Sequence, residues 1–201
     1  MRLILVRHGE CKGNLEDRAV GRDDSPLTEH GREQATTIAR HLVHEQVAAV
    51  YSSTLSRAYD TALPIAAAHG LVVKQDPRII EIDFGSFSGK VGDFKGTRAL
   101  IEQARLNGVD SFTYSVGGGE SIEHVVKRAR PFFDELVERH HRQTVVVVSH
   151  GGLIRIMVQQ LIRLSHEDLV ATKHENTAYT ILELAEDGSY RAHVIAATDH
   201  L

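Results

Sequence analysis

The stretch Leu3-Ile4-Leu5-Val6-Arg7-His8-Gly9-Glu10 decides the fold and points to one place within it. Four apolar and mostly branched residues in succession are typical of a strand that is buried on both faces of a parallel sheet. The run ends at Arg7-His8-Gly9, and ligands of open α/β sheets bind just beyond the carboxyl ends of the strands. A cation, an imidazole and a glycine at that point suggest an anion site with a nucleophile. The tripeptide alone fits equally well a strand that merely stops at polar residues.

Length and composition are those of one ordinary globular domain, which we expect to span residues 1–201. The net charge of −4 comes without any block of like charge, so neither nucleic acid nor a membrane surface is an expected partner. A single cysteine, Cys11, excludes a disulfide within the chain and fits a reducing compartment. The short N-terminal apolar run lacks the layout of a signal peptide, and a cytoplasmic location is expected.

Strand and helix patterns alternate along most of the chain. Buried strands are predicted at 3–6, 47–51, 71–73 (continuing towards 79–82) and 144–148. Helices are predicted from the N-cap Thr28 to about His44, at 55–69, at about 97–107, after the N-cap Ser121, and at 153–164. Strands 179–184 and 190–195 flank a turn and predict a hairpin. The fold class expected is α/β, a three-layer sandwich with a mostly parallel central sheet, helices on both faces, a C-terminal edge hairpin and a small lid insertion at about 85–119.

Polar residues follow three of these strands at the point where each one ends. They are Arg7-His8, Ser52-Ser53 with Arg57 nearby, and Ser149-His150-Gly151. Because the carboxyl ends of parallel strands share one edge of the sheet, these residues can converge. Two arginines and two histidines around one point would bind a phosphate monoester, with help from backbone N–H groups at the helix starts after Ser53 and Gly151.

This convergence allows phosphoryl transfer through a covalent intermediate. A neutral imidazole at His8 can attack phosphorus, and the neighbouring arginines favour that neutral form. The departing alkoxide then needs a proton, for which Glu81, just before the lid, is the candidate. Glu10, Asp83 and Glu120 remain as alternative acids, with Glu10 favoured as a local hydrogen-bonding partner instead.

Several separated motifs agree in order with a known family. They are Arg7-His8-Gly9-Glu10, Asn14, Pro26 to Gly31, Ser52-Ser53 with Arg57-Ala58 and Thr61-Ala62, Glu81 before Phe84-Gly85, Gly118 to Ser121, and Ser149 to Gly152. Over residues 1 to 160 the chain resembles the histidine phosphatase superfamily, in the branch of phosphoglycerate mutase and its phosphatase relatives. The resemblance implies His8 as the phosphorylated nucleophile, with Arg7, Arg57 and His150 holding the phosphoryl group and Glu81 as proton donor. It implies no metal and no cofactor, phosphate contacts from Asn14 and the Gly151 amide, and a substrate role near Arg22.

Within that family the sequence favours a phosphatase over a mutase. Mutases carry a longer insertion and a Glu-x-x-Tyr-Gly pattern with paired arginines, whereas Glu81 here precedes Ile82-Asp83-Phe84-Gly85. A cofactor-dependent phosphoglycerate mutase and a non-catalytic phospho-ligand-binding protein are the two alternatives. The expected partner is a small phosphomonoester, contacted by the lid and by the loop at 11–24, and the residues leave a homodimer open. The lid candidates for substrate contact are Lys90, Lys95, Arg98 and Tyr114.

Overall fold

The computed structural model describes residues 1–90, 103, 106–110, 112–164 and 174–201. Its described residues contain one six-stranded sheet in the order β3-β2-β4-β1-β5-β6. The strands are β1 Arg2–Arg7, β2 Val47–Ser52, β3 Val73–Gln75, β4 Thr144–Ser149, β5 Tyr179–Leu184 and β6 Tyr190–Ala197. Strands β3, β2, β4 and β1 are parallel, while β5 and β6 join as an antiparallel hairpin with β6 at the edge. The mostly parallel sheet with a C-terminal edge hairpin is therefore confirmed.

Helices connect these strands. They are α1 Lys12–Leu15, α2 Glu29–His41, α3 Ser56–Ala68, α4 Ile122–Arg139 and α5 Gly151–Ile162, with short 3-10 turns at Leu42–His44, Pro77–Ile79, Gly85–Phe87 and Val116–Gly118. Both predicted N-caps are confirmed. The Thr28 hydroxyl accepts the Gly31 N–H at 2.9 Å, and the Ser121 hydroxyl accepts the His124 N–H at 3.2 Å.

Two apolar cores cover the two faces of the sheet and complete the three layers. Helices α4 and α5 pack on one face, for example through Phe132 and Met157 against Leu5. Helices α2 and α3 pack on the other, through residues such as Ile38 and Ile65 against strand positions that alternate with the first set. Because the strands are buried on both sides, their carboxyl ends are held in fixed register.

That register places the predicted site residues in one row. Arg7 of β1 pairs with Ser149 of β4, and Val148 of β4 pairs with Ser52 of β2. The ladder continues one step further, since the His8 N–H donates to the Ser149 carbonyl at 2.9 Å and the Ser53 N–H donates to the Val148 carbonyl at 3.0 Å.

The region between β3 and α4 departs from the expected pattern. The third strand is Val73–Gln75, two residues later than the predicted 71–73. It does not continue towards 79–82, because a 3-10 turn spans Pro77–Ile79 and residues 80–82 form no strand. Pro77 lacks an N–H for a sheet ladder, which accounts for the break. The predicted helix at 97–107, together with Lys95 and Arg98, lies mostly outside the described residues. Within the described part, no helix has the length and apolar character needed to cross a membrane.

Candidate active site

His8 is buried at the end of β1 with a defined tautomer. Its Nδ1 donates to the Gly9 carbonyl at 2.7 Å, so Nδ1 carries the proton and Nε2 keeps a lone pair. The absence of a side chain at Gly9 lets the loop after His8 pack closely against α2. A Cβ at this position would lie 2.5 Å from the Gly31 carbonyl oxygen, so only glycine lets the loop pack against the start of α2. The result is an imidazole whose unprotonated nitrogen is available for attack.

His150 lies beside His8, with 5.2 Å between the ring centroids. Its Nε2 is hydrogen-bonded to the Ser53 hydroxyl at 2.7 Å. When that hydroxyl donates, the remaining proton sits on Nδ1, a buried atom without a partner among the described residues. His150 can then donate from Nδ1 to an oxygen bound in the site.

Arg7 and Arg57 supply positive charge from two different elements. Arg7 Nη1 donates to the His174 carbonyl at 2.6 Å, while Arg57, on α3, donates to the carbonyls of Gly21 and Asp23 at 2.7 and 2.8 Å. Within the described structure the buried Nε atoms of both arginines lack partners. Because buried donors are normally paired, these two atoms indicate an anion-binding site.

Burial is the main influence on the titration of the site. Desolvation lowers the pKa of His8 well below its usual value of 6.5, with further lowering by Arg7 and Arg57. Desolvation likewise lowers the pKa of His150, followed by the charges of Arg57, His8 and Arg7. The arginines act in the direction expected from the sequence, but burial is the larger cause. Both imidazoles are therefore neutral near neutral pH.

Glu81 reaches the site from the irregular segment after β3. Its carboxylate accepts the N–H of Ile82 at 2.9 Å and those of Gly152 and Leu153, in the first turn of α5, at 3.2 and 3.1 Å. A Cβ on residue 152 would lie 2.6 Å from Glu81 Oε1, so a larger residue there would displace the carboxylate from this position. Burial lowers the pKa of Arg7 and of Arg57, and the Glu81 charge opposes this lowering in part, so the carboxylate is within electrostatic reach of both arginines.

Backbone N–H groups at the starts of α3 and α5, which were expected from the sequence to bind phosphate, donate in part to protein carboxylates. At α5, two of the N–H groups expected to face phosphate are taken by Glu81. At α3, the Ser56 N–H donates to the Asp24 carboxylate at 3.0 Å. Both helix dipoles thus stabilise protein carboxylates that border the site.

The three alternative acids are each committed elsewhere. Glu10 accepts the Thr28 hydroxyl at 2.7 Å, as expected for a local partner. Asp83 accepts the Gly85 N–H at 2.7 Å, and Glu120 forms ion pairs with Arg22 and Arg128 at 2.7 and 2.8 Å. Glu81 is instead bound to the start of α5, directly after His150, and its charge acts on both Arg7 and Arg57.

The three residues predicted to bind substrate have separate environments. The Asn14 side chain accepts the Cys11 N–H and the Asn176 amide. Gly151 begins α5 beside Arg7, since a Cβ there would lie 3.4 Å from Arg7 Nε. Arg22 pairs with Glu120, and its side chain is 38% exposed.

Three further residues support the site and received no role from the sequence pattern. Asn176 donates to the His8 carbonyl at 3.1 Å, and Thr61 accepts the Gly9 N–H at 2.9 Å. Ser53 holds His150. Ser53 and Thr61 stood within recognised motifs, but Asn176 is 168 positions from His8, and no local spacing announces such a contact.

No group of three or more His, Cys, Asp or Glu side chains among the described residues is arranged to hold a metal ion.

Comparison with known proteins gives a consistent picture. The family model of the histidine phosphatase superfamily, branch 1, matches residues 3–196. Phosphoserine phosphatase 1 of Hydrogenobacter thermophilus is 37% identical over 186 residues, covering 92% of this chain and 88% of the relative. Glucosyl-3-phosphoglycerate phosphatase of Mycobacterium tuberculosis is 37% identical over 175 residues, covering 81% and 76%.

Solved structures agree with these sequence matches. A mycobacterial glucosyl-3-phosphoglycerate phosphatase in complex with VO3 superposes with a TM-score of 0.85 at 33% identity, covering 98% of this chain and 99% of the other. Phosphoserine phosphatase of Entamoeba histolytica in complex with 3-phosphoglyceric acid gives a TM-score of 0.86 at 28% identity, covering 99% and 98%. Since the family model and phosphatase relatives span nearly the whole chain, this protein belongs to the histidine phosphatase superfamily, branch 1, and is a phosphomonoester phosphatase rather than a mutase.

Proposed function

We propose that this phosphatase hydrolyses a small alkyl phosphomonoester through a phosphohistidine at His8, with Glu81 as the proton donor and without a metal ion. The observation that carries the proposal is the set of three buried, unpartnered nitrogens around His8, namely Arg7 Nε, Arg57 Nε and His150 Nδ1, as judged over the described residues. A phosphoryl group with two negative charges would satisfy all three.

In the first step the lone pair of His8 Nε2 attacks phosphorus and the ester P–O bond breaks. The guanidinium groups and His150 Nδ1 donate to the phosphoryl oxygens, where negative charge must be held throughout the transfer. The leaving oxygen takes a proton from the Glu81 carboxyl group. The backbone contact to Gly9 keeps the reacting His8 nitrogen unprotonated and correctly oriented.

In the second step water attacks the phosphohistidine and the N–P bond breaks. Glu81, now ionised, accepts the proton from water, and inorganic phosphate leaves with the neutral His8 restored. The three backbone N–H groups that donate to Glu81 hold its carboxyl group in place for both proton transfers.

The test uses wild-type enzyme and His8→Ala with an alkyl phosphomonoester in excess chelator. Phosphate release should persist in chelator and vanish in His8→Ala, and brief quenching of the wild type should trap an acid-labile phosphoenzyme on His8. Activity that survives the His8 change, or disappears with chelator, contradicts the proposal. Tight phosphate binding without any phosphoenzyme or turnover across a panel of monoesters would favour the non-catalytic binding alternative instead.

For the substrate we propose a monoester that carries a second anionic group, bound by Arg22. The relatives named phosphoserine phosphatase and glucosyl-3-phosphoglycerate phosphatase support a compact phosphorylated acid as the substrate class. Arg22 lies between Gly21 and Asp23, whose carbonyls bind Arg57, and its guanidinium is partly exposed. It therefore stands close to the phosphoryl pocket and faces solvent in part.

We further propose that 85–119 is an insertion in a single catalytic domain, with its two ends beside Glu81. Its two ends are joined next to Glu81, because the Glu120 N–H donates to the Asp83 carbonyl at 2.8 Å. A Cβ at Gly85 would lie 2.2 Å from the Gly117 carbonyl oxygen. The cytoplasmic location and the homodimer stay predictions.

A further inference from the structure

Three charged side chains, Arg22, Glu120 and Arg128, form a cluster at the main chain of Glu81. Glu120 lies at the centre and accepts from Arg128 through both oxygens, at 2.8 Å from Nε and 3.0 Å from Nη2. Arg22 adds an ion pair to the same carboxylate at 2.7 Å. The Glu120 and Arg128 side chains are only 16% and 19% exposed, so this pair is shielded from solvent and rigid.

The cluster binds the main chain that carries Glu81. Arg128 Nη1 donates to the Arg78 carbonyl at 2.7 Å, and Nη2 donates to the Glu81 carbonyl at 3.1 Å. Glu120 accepts the Asp83 N–H at 3.2 Å. The segment 78–83 pairs with no strand among the described residues, so these side chains replace the sheet ladder that fixes other site residues.

Resting on the role proposed for Glu81, we propose that Arg128, held by Glu120, is a positioning residue for proton transfer in this phosphatase. It binds the main-chain carbonyl of residue 81, while the start of α5 binds the side-chain carboxylate. Together the two contacts fix the position of the Glu81 carboxyl group beside the phosphoryl centre. Arg128 also lies near enough to that centre for its charge to act on His150.

The arrangement requires a guanidinium rather than any cation. One Arg128 side chain reaches two carbonyls and both oxygens of Glu120, which a lysine ammonium cannot do at once. Arg22 contributes less than Arg128 to holding this segment, because its contact to the Glu81 carbonyl is 3.3 Å and its side chain is more exposed.

The experiment compares Arg128→Lys and Glu120→Gln with a matched control, Arg130→Lys, on the same helix. Arg130 pairs with Asp134 at the surface and more than half of its side chain is exposed. Each variant is assayed with an alkyl phosphomonoester and with nitrophenyl phosphate, whose leaving group needs no proton. Thermal unfolding is measured for each, with assays well below the midpoint. The Glu120→Gln variant keeps the test usable where Arg128→Lys fails to fold.

Displacement of a catalytic group by about 1 Å can cost up to about a hundredfold, so we expect Arg128→Lys to lower kcat for the alkyl ester by about ten- to a hundredfold. We expect nitrophenyl phosphate to change by less than about threefold, a difference that lost positioning predicts and general loosening of the site does not. Glu120→Gln should show the same selectivity in weaker form, and Arg130→Lys none.

A double-mutant cycle with Glu81→Gln separates this proposal from the function on which it rests. When Glu81 cannot donate a proton, Arg128→Lys should add no further selective loss. Equal loss of both substrates in Arg128→Lys, or a selective loss that persists with Gln at position 81, overturns the positioning role. If Glu81→Gln alone weakens both substrates equally, the proton-donor assignment itself has failed, and that single variant identifies the failure.

Discussion

His8 and His150 stand at the ends of the adjacent strands β1 and β4, whereas Glu81 stands in an irregular segment beyond the end of β3 at Gln75. The first pair is placed by a parallel ladder that is buried on both faces. Glu81 is placed by ion-paired side chains and by two N–H groups of a helix start. We refer to these as the phosphoryl side and the leaving-group side of the site.

This difference indicates which side of the site can change without loss of the fold. The phosphoryl side depends on strand register, which cannot change without disturbing the core. The leaving-group side depends on a few ion-paired side chains outside the sheet, which substitution can alter while the fold persists. Common phosphoryl chemistry and variable substrates within one family follow from this division.

Arg57→Lys should give the largest effect, on the phosphoryl side. The charge is kept, but the fork that spans the Gly21 and Asp23 carbonyls and points Nε inward is lost. Loss of one donor to transition-state charge costs about 10² to 10³ in kcat, and this loss should be equal for alkyl and nitrophenyl esters. Steady-state assays with both esters check it. A selective effect would mean that Arg57 acts on the leaving group.

Glu81→Gln should be selective where Arg57→Lys is not. An alkoxide cannot leave unprotonated, so turnover of an alkyl ester should fall by about a hundredfold or more, while nitrophenyl phosphate should fall much less. The ratio of the two kcat values is the measurement. Equal loss would show that Glu81 shapes the pocket, and the proton donor would then be sought among Glu10, Asp83 and Glu120.

Acid should destabilise the phosphoryl side of the ligand-free enzyme. The folded pKa of His8 and of His150 lies well below 6.5, so the unfolded chain binds more protons as pH falls through about 6.5 and stability falls with it. Stability should therefore be lower at pH 5.5 than at pH 7.5, by at most about 1.4 kcal/mol for each histidine. Urea unfolding of wild type and His8→Gln checks this. An identical decrease in both proteins would remove His8 from the account.

Arg22→Ala should give the smallest effect. A rim ion pair contributes about 0.2 to 1 kcal/mol, so KM for a monoester bearing a carboxylate should rise by up to about fivefold. KM for an alkyl monoester of similar size without a carboxylate should stay nearly constant. Arg18→Ala is the matched control, since Arg18 lies in the same loop but pairs with Glu16 and the Gly89 carbonyl. Equal KM changes for both esters would exclude a substrate contact.

The pattern of strands and helices in the sequence was sufficient to predict the sheet, its layers and the residues of the phosphoryl side. Apolar runs of strand length, such as Val145 to Val148, dictate burial on both faces, and the polar residues that end them must then share one edge. Thr28 and Ser121 mark helix starts by local hydrogen bonding alone. The same reasoning predicts the positions of four site residues, because each is tied to the end or start of a regular element. They are Arg7, His8, Arg57 and His150.

Tertiary structure alone decided how Glu81 is held and which residues support the histidines. The segment after Pro77 has no periodicity to predict, and its position depends on Arg128, which is 47 positions away, and on the start of α5, 71 and 72 positions away. Asn176 reaches the His8 carbonyl over an even longer separation. Such contacts are set by how the finished layers bring distant loops together, and a pattern that reports only neighbours along the chain carries no signal of them.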